Sequence, residues 1–228
     1  MNILIIDTAT EACSVALEVN KHVFNRFEVC PQQHSQRILP MIDDVLKEAN
    51  VTLQDLDYLA FGRGPGSFTG VRIATGVIQG LALGTGHKVL SISTLAAMAQ
   101  QAYVQNKSEQ VTAVIDARMS EVYFGQYQLK QKVMALIGEE QVIPPEDALV
   151  LLNSNVEMAG VGTGWQAYPE LNAAANVDVI SGVLYPNAVY MLPLAKALIA
   201  DGHAVEVEDI QPVYLRDKVT WKKLPGRE

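Results

Sequence analysis

Cysteine is nearly absent: Cys13 and Cys30 are the only two in 228 residues. That excludes a disulfide framework and points to a reducing compartment. Histidine is scarce as well. His22, His34, His87 and His203 form no pair at a short ligand-like spacing, so no zinc or iron site is expected. Positive charge is in deficit, with 17 Lys and Arg against 25 Asp and Glu, a net charge of −8. A face that grips nucleic acid broadly needs clustered cations, and this balance argues against one. The helical stretch after residue 70 carries Arg72 and has no apolar run long enough to span a bilayer. No basic segment or cleavage site precedes Ile3, so no signal peptide and a soluble, cytoplasmic protein are expected. A chain of this length that is 49% hydrophobic can build one large or two small domains.

Against these absences stands one dense stretch, Gly62-Arg63-Gly64-Pro65-Gly66-Ser67-Phe68-Thr69-Gly70-Val71-Arg72-Ile73-Ala74. It follows a buried-strand pattern, Tyr58 to Phe61, and runs into a helix. Strand, glycine loop and helix form the geometry that presents backbone N–H groups to an anion. The strict motifs are not met. A phosphate-binding loop needs a Lys at its end, and none is present. Read as a dinucleotide fingerprint, Gly64 and Gly66 are in place but Thr69 stands where the third glycine belongs. Gly64, Gly66, Ser67, Thr69 and Gly70 therefore read as a structural loop that launches a helix. Within that helix Gly76, Gly80 and Gly84 recur every four residues and share one face. Glycine in a helix interior costs about 1 kcal/mol against Ala, so the three together cost about 3 kcal/mol. Either the protein's own core or another chain must pack closely there to offset it.

The order of elements is specific. Strands over 3–7, 13–19 and 22–29 form a meander. A helix over 35–49 follows, with Pro40 at its start or at a kink, then a strand over 56–61, the glycine loop and its helix, a strand over 89–92 and a helix to about 103. The second half repeats the pattern, with strands over 111–116, 121–129 and 133–137, a helix after Pro144-Pro145, a strand over 158–161, a glycine turn over 160–164, a strand over 177–180 and a helix over 187–200. Two βββαβαβα halves predict an α/β protein with the duplicated fold of actin, sugar kinases and heat-shock ATPases. The predicted domains are 1–106 and 107–228, joined by the polar stretch 105–110.

In that fold a nucleotide lies between the domains, cupped by glycine- and hydroxyl-bearing turns. Here Asp7-Thr8-Ala9-Thr10-Glu11 and Asp116-Ala117-Arg118-Met119-Ser120 lack glycine, and Glu11 repels phosphate. Asp7 and Asp116 are candidates for water-mediated Mg²⁺ or for ordering their own turns. Gly162 and Gly164 are candidates to pass an adenine ring or to form only a turn. A His34–Ser35 nucleophile and base would be adjacent on a helix, where side chains do not face each other. The C-terminal run Arg216, Lys218, Lys222, Lys223 and Arg227 is locally basic around Trp221, a solvated tail or a contact to RNA phosphates.

Gly64-Pro65-Gly66-Ser67-Phe68-Thr69-Gly70-Val71-Arg72-Ile73 with Gln79-Gly80-Leu81-Ala82 resembles the signature of the TsaB (YeaZ) family. Asp7-Thr8, His34-Ser35 before Leu39-Pro40-Met41, and Pro212-Val213-Tyr214-Leu215-Arg216 agree with it. Ala74 stands where the family usually has Gly. The resemblance covers essentially the whole chain. It implies a role in N6-threonylcarbamoyladenosine formation on tRNAs reading codons that start with A. It implies no catalysis by this chain, and a requirement for it as partner of the paralogous transferase TsaD. The ATPase TsaE joins a larger complex, ATP is used by the complex rather than bound by this chain alone, tRNA is met through the complex, and the isolated chain forms a homodimer. TsaD carries a HxxxH metal motif in the helix corresponding to 93–103; this chain has Ser93-Thr94-Leu95-Ala96-Ala97-Met98-Ala99 and no histidine. The expected docking surface is made by helices 35–49 and 70–85, with His34, Leu39, Ile42, Val71, Arg72, Gly76, Gly80 and Gly84. Arg72, a cation in the first helical turn, is expected to find a carboxylate in this chain or the next. The alternative is a stand-alone ATP-binding protein or kinase of the actin-like fold.

Overall fold

The computed structural model describes residues 1–152, 156–174 and 176–216. Its first half runs β1 (Ile3–Asp7), β2 (Ala12–Val19), β3 (His22–Val29), α1 (His34–Ala49), β4 (Tyr58–Gly64), α2 (Phe68–Thr85), β5 (Lys88–Ser93) and α3 (Thr94–Asn106). The second runs β6 (Gln110–Arg118), β7 (Glu121–Lys130), β8 (Val133–Ile143), α4 (Pro145–Leu152), β9 (Met158–Val161), α5 (Gly164–Ala167), β10 (Val177–Val179) and α6 (Ala188–Ala200). The sheets are ordered β3-β2-β1-β4-β5 and β8-β7-β6-β9-β10. In each, the first three strands are an antiparallel meander, and the fourth and fifth join parallel to the first. The halves are topological copies, and the fold is the duplicated actin-like α/β fold.

The apolar run of β1 shows why the sheet is buried on both faces. Leu4 and Ile6 pack with Ile38, Val45 and Ile78 of α1 and α2 on the outer face. Ile3 and Ile5 point the other way and pack with Met191, Leu192 and Ala195 of α6. Side chains alternate along a strand, so an unbroken apolar run needs a cover on each side. The inner covers are exchanged. α6, from the end of the second half, lies on the first sheet, while Leu95, Met98 and Ala102 of α3 pack on Val111, Ala113 and Ile115 of β6.

Helix starts follow from capping. Ser67 Oγ accepts from Gly70 N at 3.4 Å, Ser93 Oγ from Ala96 N at 3.2 Å, and Asn187 Oδ1 from Val189 N at 3.1 Å. Pro40 lies inside α1 and not at its start. Cys13 and Cys30 are free and buried. Burial pushes the Cys13 thiol up to about 12, as expected of an inert apolar residue. No helix among the described residues is long and apolar enough to cross a membrane.

Candidate functional site

The glycine loop is pressed against the turn that follows β1. Ser67 N donates to Ala9 O at 2.7 Å, and Thr8 Oγ1 donates to Gly70 O at 2.6 Å. A Cβ on Gly66 would sit 2.2 Å from Ala9 O, and one on Gly70 would sit 2.1 Å from Thr8 O. Glycine is required at both because backbone meets backbone. Gly70 O thus occupies the Thr8 hydroxyl, a donor that a phosphate-cupping turn would turn toward its ligand. Gly64 has φ +96°, and a Cβ there would lie 2.9 Å from Val213 O. Thr69 is exposed beside the Ser67 cap.

Asp7 is fully buried under this loop. Its Oδ1 accepts from Ala9 N at 3.0 Å, while Oδ2 is buried without a partner, where a Cβ on Gly62 would be only 1.7 Å away. Desolvation pushes its carboxyl from 3.8 up to about 7, against the lowering effect of the Ala9 N–H. The folded chain therefore keeps this proton between about pH 4 and pH 7, where the unfolded chain has lost it. Stability is fully present below the unfolded pKa and falls as pH rises through that window, by up to about 4 kcal/mol from this group. Asp7→Asn should flatten that slope, and urea melts at pH 5 and pH 8 on both proteins check it.

Asp116 is satisfied by its own turn and by Tyr168. Its Oδ1 accepts from Arg118 N at 2.8 Å and from Tyr168 OH at 3.0 Å, and Oδ2 pairs with Arg118 at 3.0 Å. Gly162, at φ +103°, and Gly164 approach β6: added Cβ atoms would meet Val114 O at 2.2 Å and Val114 Cγ1 at 2.5 Å. Close packing accounts for both. A cavity of about 390 Å³ beside them is lined by Trp165, Gln166, Pro169, Asn172, Ile180 and Leu184. A second cavity, of about 280 Å³, lies where the halves meet, between Thr10, Glu11, His34, Ser67, Ile115 and Arg118. There Arg118 pairs with Glu11 at 3.3 Å across the halves. Among the described residues no group of three His, Cys, Asp or Glu side chains is placed to hold a metal.

The outer face of α2 is open. No atom lies within 4 Å of a Cβ added at Gly76, Gly80 or Gly84, so the described residues provide no close packing on these glycines. Phe68 and Arg72 continue the same four-residue row toward the helix start, with Phe68 56% exposed. α1 lies against α2 and exposes Leu39 at 53%, and α2 exposes Leu83 at 70%. Ile42 and Val71 turn inward to the core, and His34 is buried with its Nε2 lacking a hydrogen-bond partner. No hydrogen bond joins His34 to the exposed Ser35 among the described residues.

Among the described residues Arg72 finds aromatic rings and no carboxylate. Its guanidinium carbon lies 3.8 Å from the centroid of Phe68 and 5.9 Å from that of Tyr214, and its Nε donates to Tyr214 OH at 3.1 Å. Stacking on two rings supplies the negative potential that a carboxylate was expected to give.

A family profile described as "TsaD: tRNA N6-adenosine threonylcarbamoyltransferase" matches residues 26–223. An Escherichia coli protein named "tRNA threonylcarbamoyladenosine biosynthesis protein TsaB" is 50% identical, over 100% of both chains. A Haemophilus influenzae protein of the same name is 46% identical, over 100% of this chain and 99% of its own. The chain belongs to the TsaB family. A crystal structure from Pseudomonas aeruginosa, of a protein described by its similarity to "peptidase YEAZ", superposes with a TM-score of 0.85. It is 47% identical over 94% of this chain and 99% of that one.

Within this TsaB-family chain the signature over 64–73 has two parts. Gly66 and Gly70 seat the loop on the first turn, Gly64 lies against Val213 O, and Phe68 and Arg72 face out beside the glycine row. Sequence reasoning missed Phe68 and Tyr214 as surface residues. Phe68 was legible, because it stands four residues before Arg72 in the row that continues through Gly76. Tyr214 was not, since 142 residues separate it from Arg72. The locally basic run beyond Arg216 lies outside the described residues.

Proposed function

We propose that this chain is a non-catalytic subunit required by TsaD for N6-threonylcarbamoyladenosine formation on tRNAs reading codons that start with A. One observation carries the reading: the row Phe68, Arg72, Gly76, Gly80, Gly84 is open along α2. Three helix-interior glycines cost about 3 kcal/mol, and no contact within the described residues offsets this. A partner helix lying on the glycines would offset it, and the TsaB and TsaD names of the similar proteins and family support TsaD as that partner. The unit 1–106 carries the docking helices α1 and α2, and 107–228 forms the second unit. TsaE joins the larger complex, which uses ATP and meets tRNA in the cytoplasm. The isolated chain pairs with itself through the same face.

The deciding experiment is reconstitution. TsaD, TsaE, ATP, threonylcarbamoyl-adenylate and tRNA should give modified tRNA with this chain present and little without it. Equal modification in its absence would remove the proposal. For a stand-alone kinase, the purified chain should bind ATP with Mg²⁺ in a calorimeter; the seating of the glycine loop on the Thr8–Ala9 turn predicts no heat at millimolar nucleotide.

A further inference from the structure

After α6 the chain returns to the first sheet. Val205 and Val89 exchange backbone hydrogen bonds at 3.0 and 2.8 Å, and further on Val213 N donates to Arg63 O at 2.8 Å. Residues 211–216 then form a strap over the start of α2. Tyr214 lies with its ring centroid 5.3 Å from that of Phe68, tilted by 40°, and its hydroxyl accepts from Arg72 Nε. Two residues on, the strap is anchored in the second half. Arg216 Nε donates to Glu121 Oε2 at 2.9 Å, its Nη2 donates to the same oxygen, and Nη2 also reaches Arg118 O at 3.2 Å. The hairpin that receives Arg216 is strained, with Arg118, Met119 and Ser120 at φ 63°, 56° and 59°. Non-glycine residues cost free energy in that region, as they also do in the β2–β3 and β7–β8 turns, and contacts around them help to hold them. Arg216 supplies contacts of that kind to Glu121 and Arg118, and its side chain is only 17% exposed.

The strap shapes the one cation of the docking row. The rings of Phe68 and Tyr214 hold the Arg72 guanidinium, and among the described residues no carboxylate lies within 4 Å of it. A guanidinium already fixed by rings loses little further freedom on binding, and its planar fork matches a carboxylate. An anion arriving there also meets the positive end of α2.

We propose that the strap is a positioning element of the docking face: Arg216, gripping Glu121, holds Tyr214 so that Phe68 and Tyr214 present Arg72 as a preformed receptor for a carboxylate of the partner. This rests on the docking reading above. Arg72 is the contact residue and Arg216 acts through it.

The test is a double-mutant cycle on the full chain, with affinity for TsaD measured by calorimetry and thermal melts run alongside. Arg216→Met should weaken binding about tenfold, and Arg72→Met at least as much, as for truncated hot-spot side chains. With Arg72→Met already present, Arg216→Met should add little. Unchanged affinity with only a lowered melting temperature would mean that Arg216 merely braces the fold, and independent, multiplying effects would also overturn the inference. If Arg216→Met does not fold, Tyr214→Phe, which removes only the hydroxyl facing Arg72, takes its place in the same cycle. Gly80→Leu separates the two readings. If it binds TsaD normally, the docking face itself is misassigned; if it fails to bind while Arg216→Met binds normally, only the strap inference falls.

Discussion

Alanine at Gly66 or Gly70 should destabilise the chain by about 3 kcal/mol or more, whereas alanine at Gly76, Gly80 or Gly84 should stabilise it. The same substitution changes sign within one stretch because the surroundings differ. At Gly66 and Gly70 the new methyl would lie 2.2 and 2.1 Å from backbone oxygens of Ala9 and Thr8. Backbone cannot rotate away as a side chain can. Either the loop leaves the first turn, losing the Ser67 and Thr8 hydrogen bonds and unroofing Asp7, or β1 shifts within its sheet. At the outer three glycines the methyl meets nothing within 4 Å. There the helix gains up to about 1 kcal/mol per site, because alanine restricts the unfolded chain and favours the helix. Urea melts on the five single variants test both directions at once. A destabilised Gly80→Ala would show that its face is covered in the folded chain.

Gly80→Leu should leave a well-folded chain that no longer supports TsaD. A leucine on an exposed helix face is a better helix former than glycine, so the melting temperature should hold or rise. Docking should suffer because a close helix contact has no room for four more carbons. Overpacking of that kind costs about 1–3 kcal/mol, which raises the dissociation constant about 5- to 150-fold. Calorimetric titration against TsaD and the tRNA modification assay give the two readouts. A folded Gly80→Leu chain that binds and supports modification at wild-type levels would refute the assignment of this face. The two sets of glycines should thus separate by phenotype, with loop variants failing in folding and helix variants in docking.

Much of this architecture was legible in the sequence because it rests on local rules. The unbroken apolar run of β1, the alternation of β2 and the four-residue glycine period each reflect a repeat of the backbone itself. The repeated βββαβαβα order follows from them, and with it the fold. Boundaries were less legible where tertiary contacts extend an element. β4 runs on through Gly62 to Gly64 because it continues pairing with β5 through a register shift. β8 reaches Ile143, past the expected 137, and carries Glu140 to Tyr127 OH at 2.6 Å and to Arg63 at 3.3 Å. Those partners come from β7 and β4, so no window around residue 140 could announce them. Arg72 shows the same limit. A cation in a first helical turn was read as wanting a carboxylate; its rings come from Phe68, one turn away, and from Tyr214, which only the folded chain brings near. The Asp7 carboxyl was visible, but its burial was not, because the roof over it is made by Gly62 and the loop beyond.

The exchange of α3 and α6 between the sheets has a consequence for how the chain is made. The inner side of β1, at Ile3 and Ile5, is covered by Met191, Leu192 and Ala195. A ribosome releases the first sheet complete in its strands long before it releases that cover. Until about 200 residues have emerged, the β1–β2 part of that face waits for its helix, Ala97 of α3 packing only beside β4 and β5, and contacts this distant in sequence form slowly. α6 is therefore the latch of the first sheet, and sequence-distant parts of the chain must mature together.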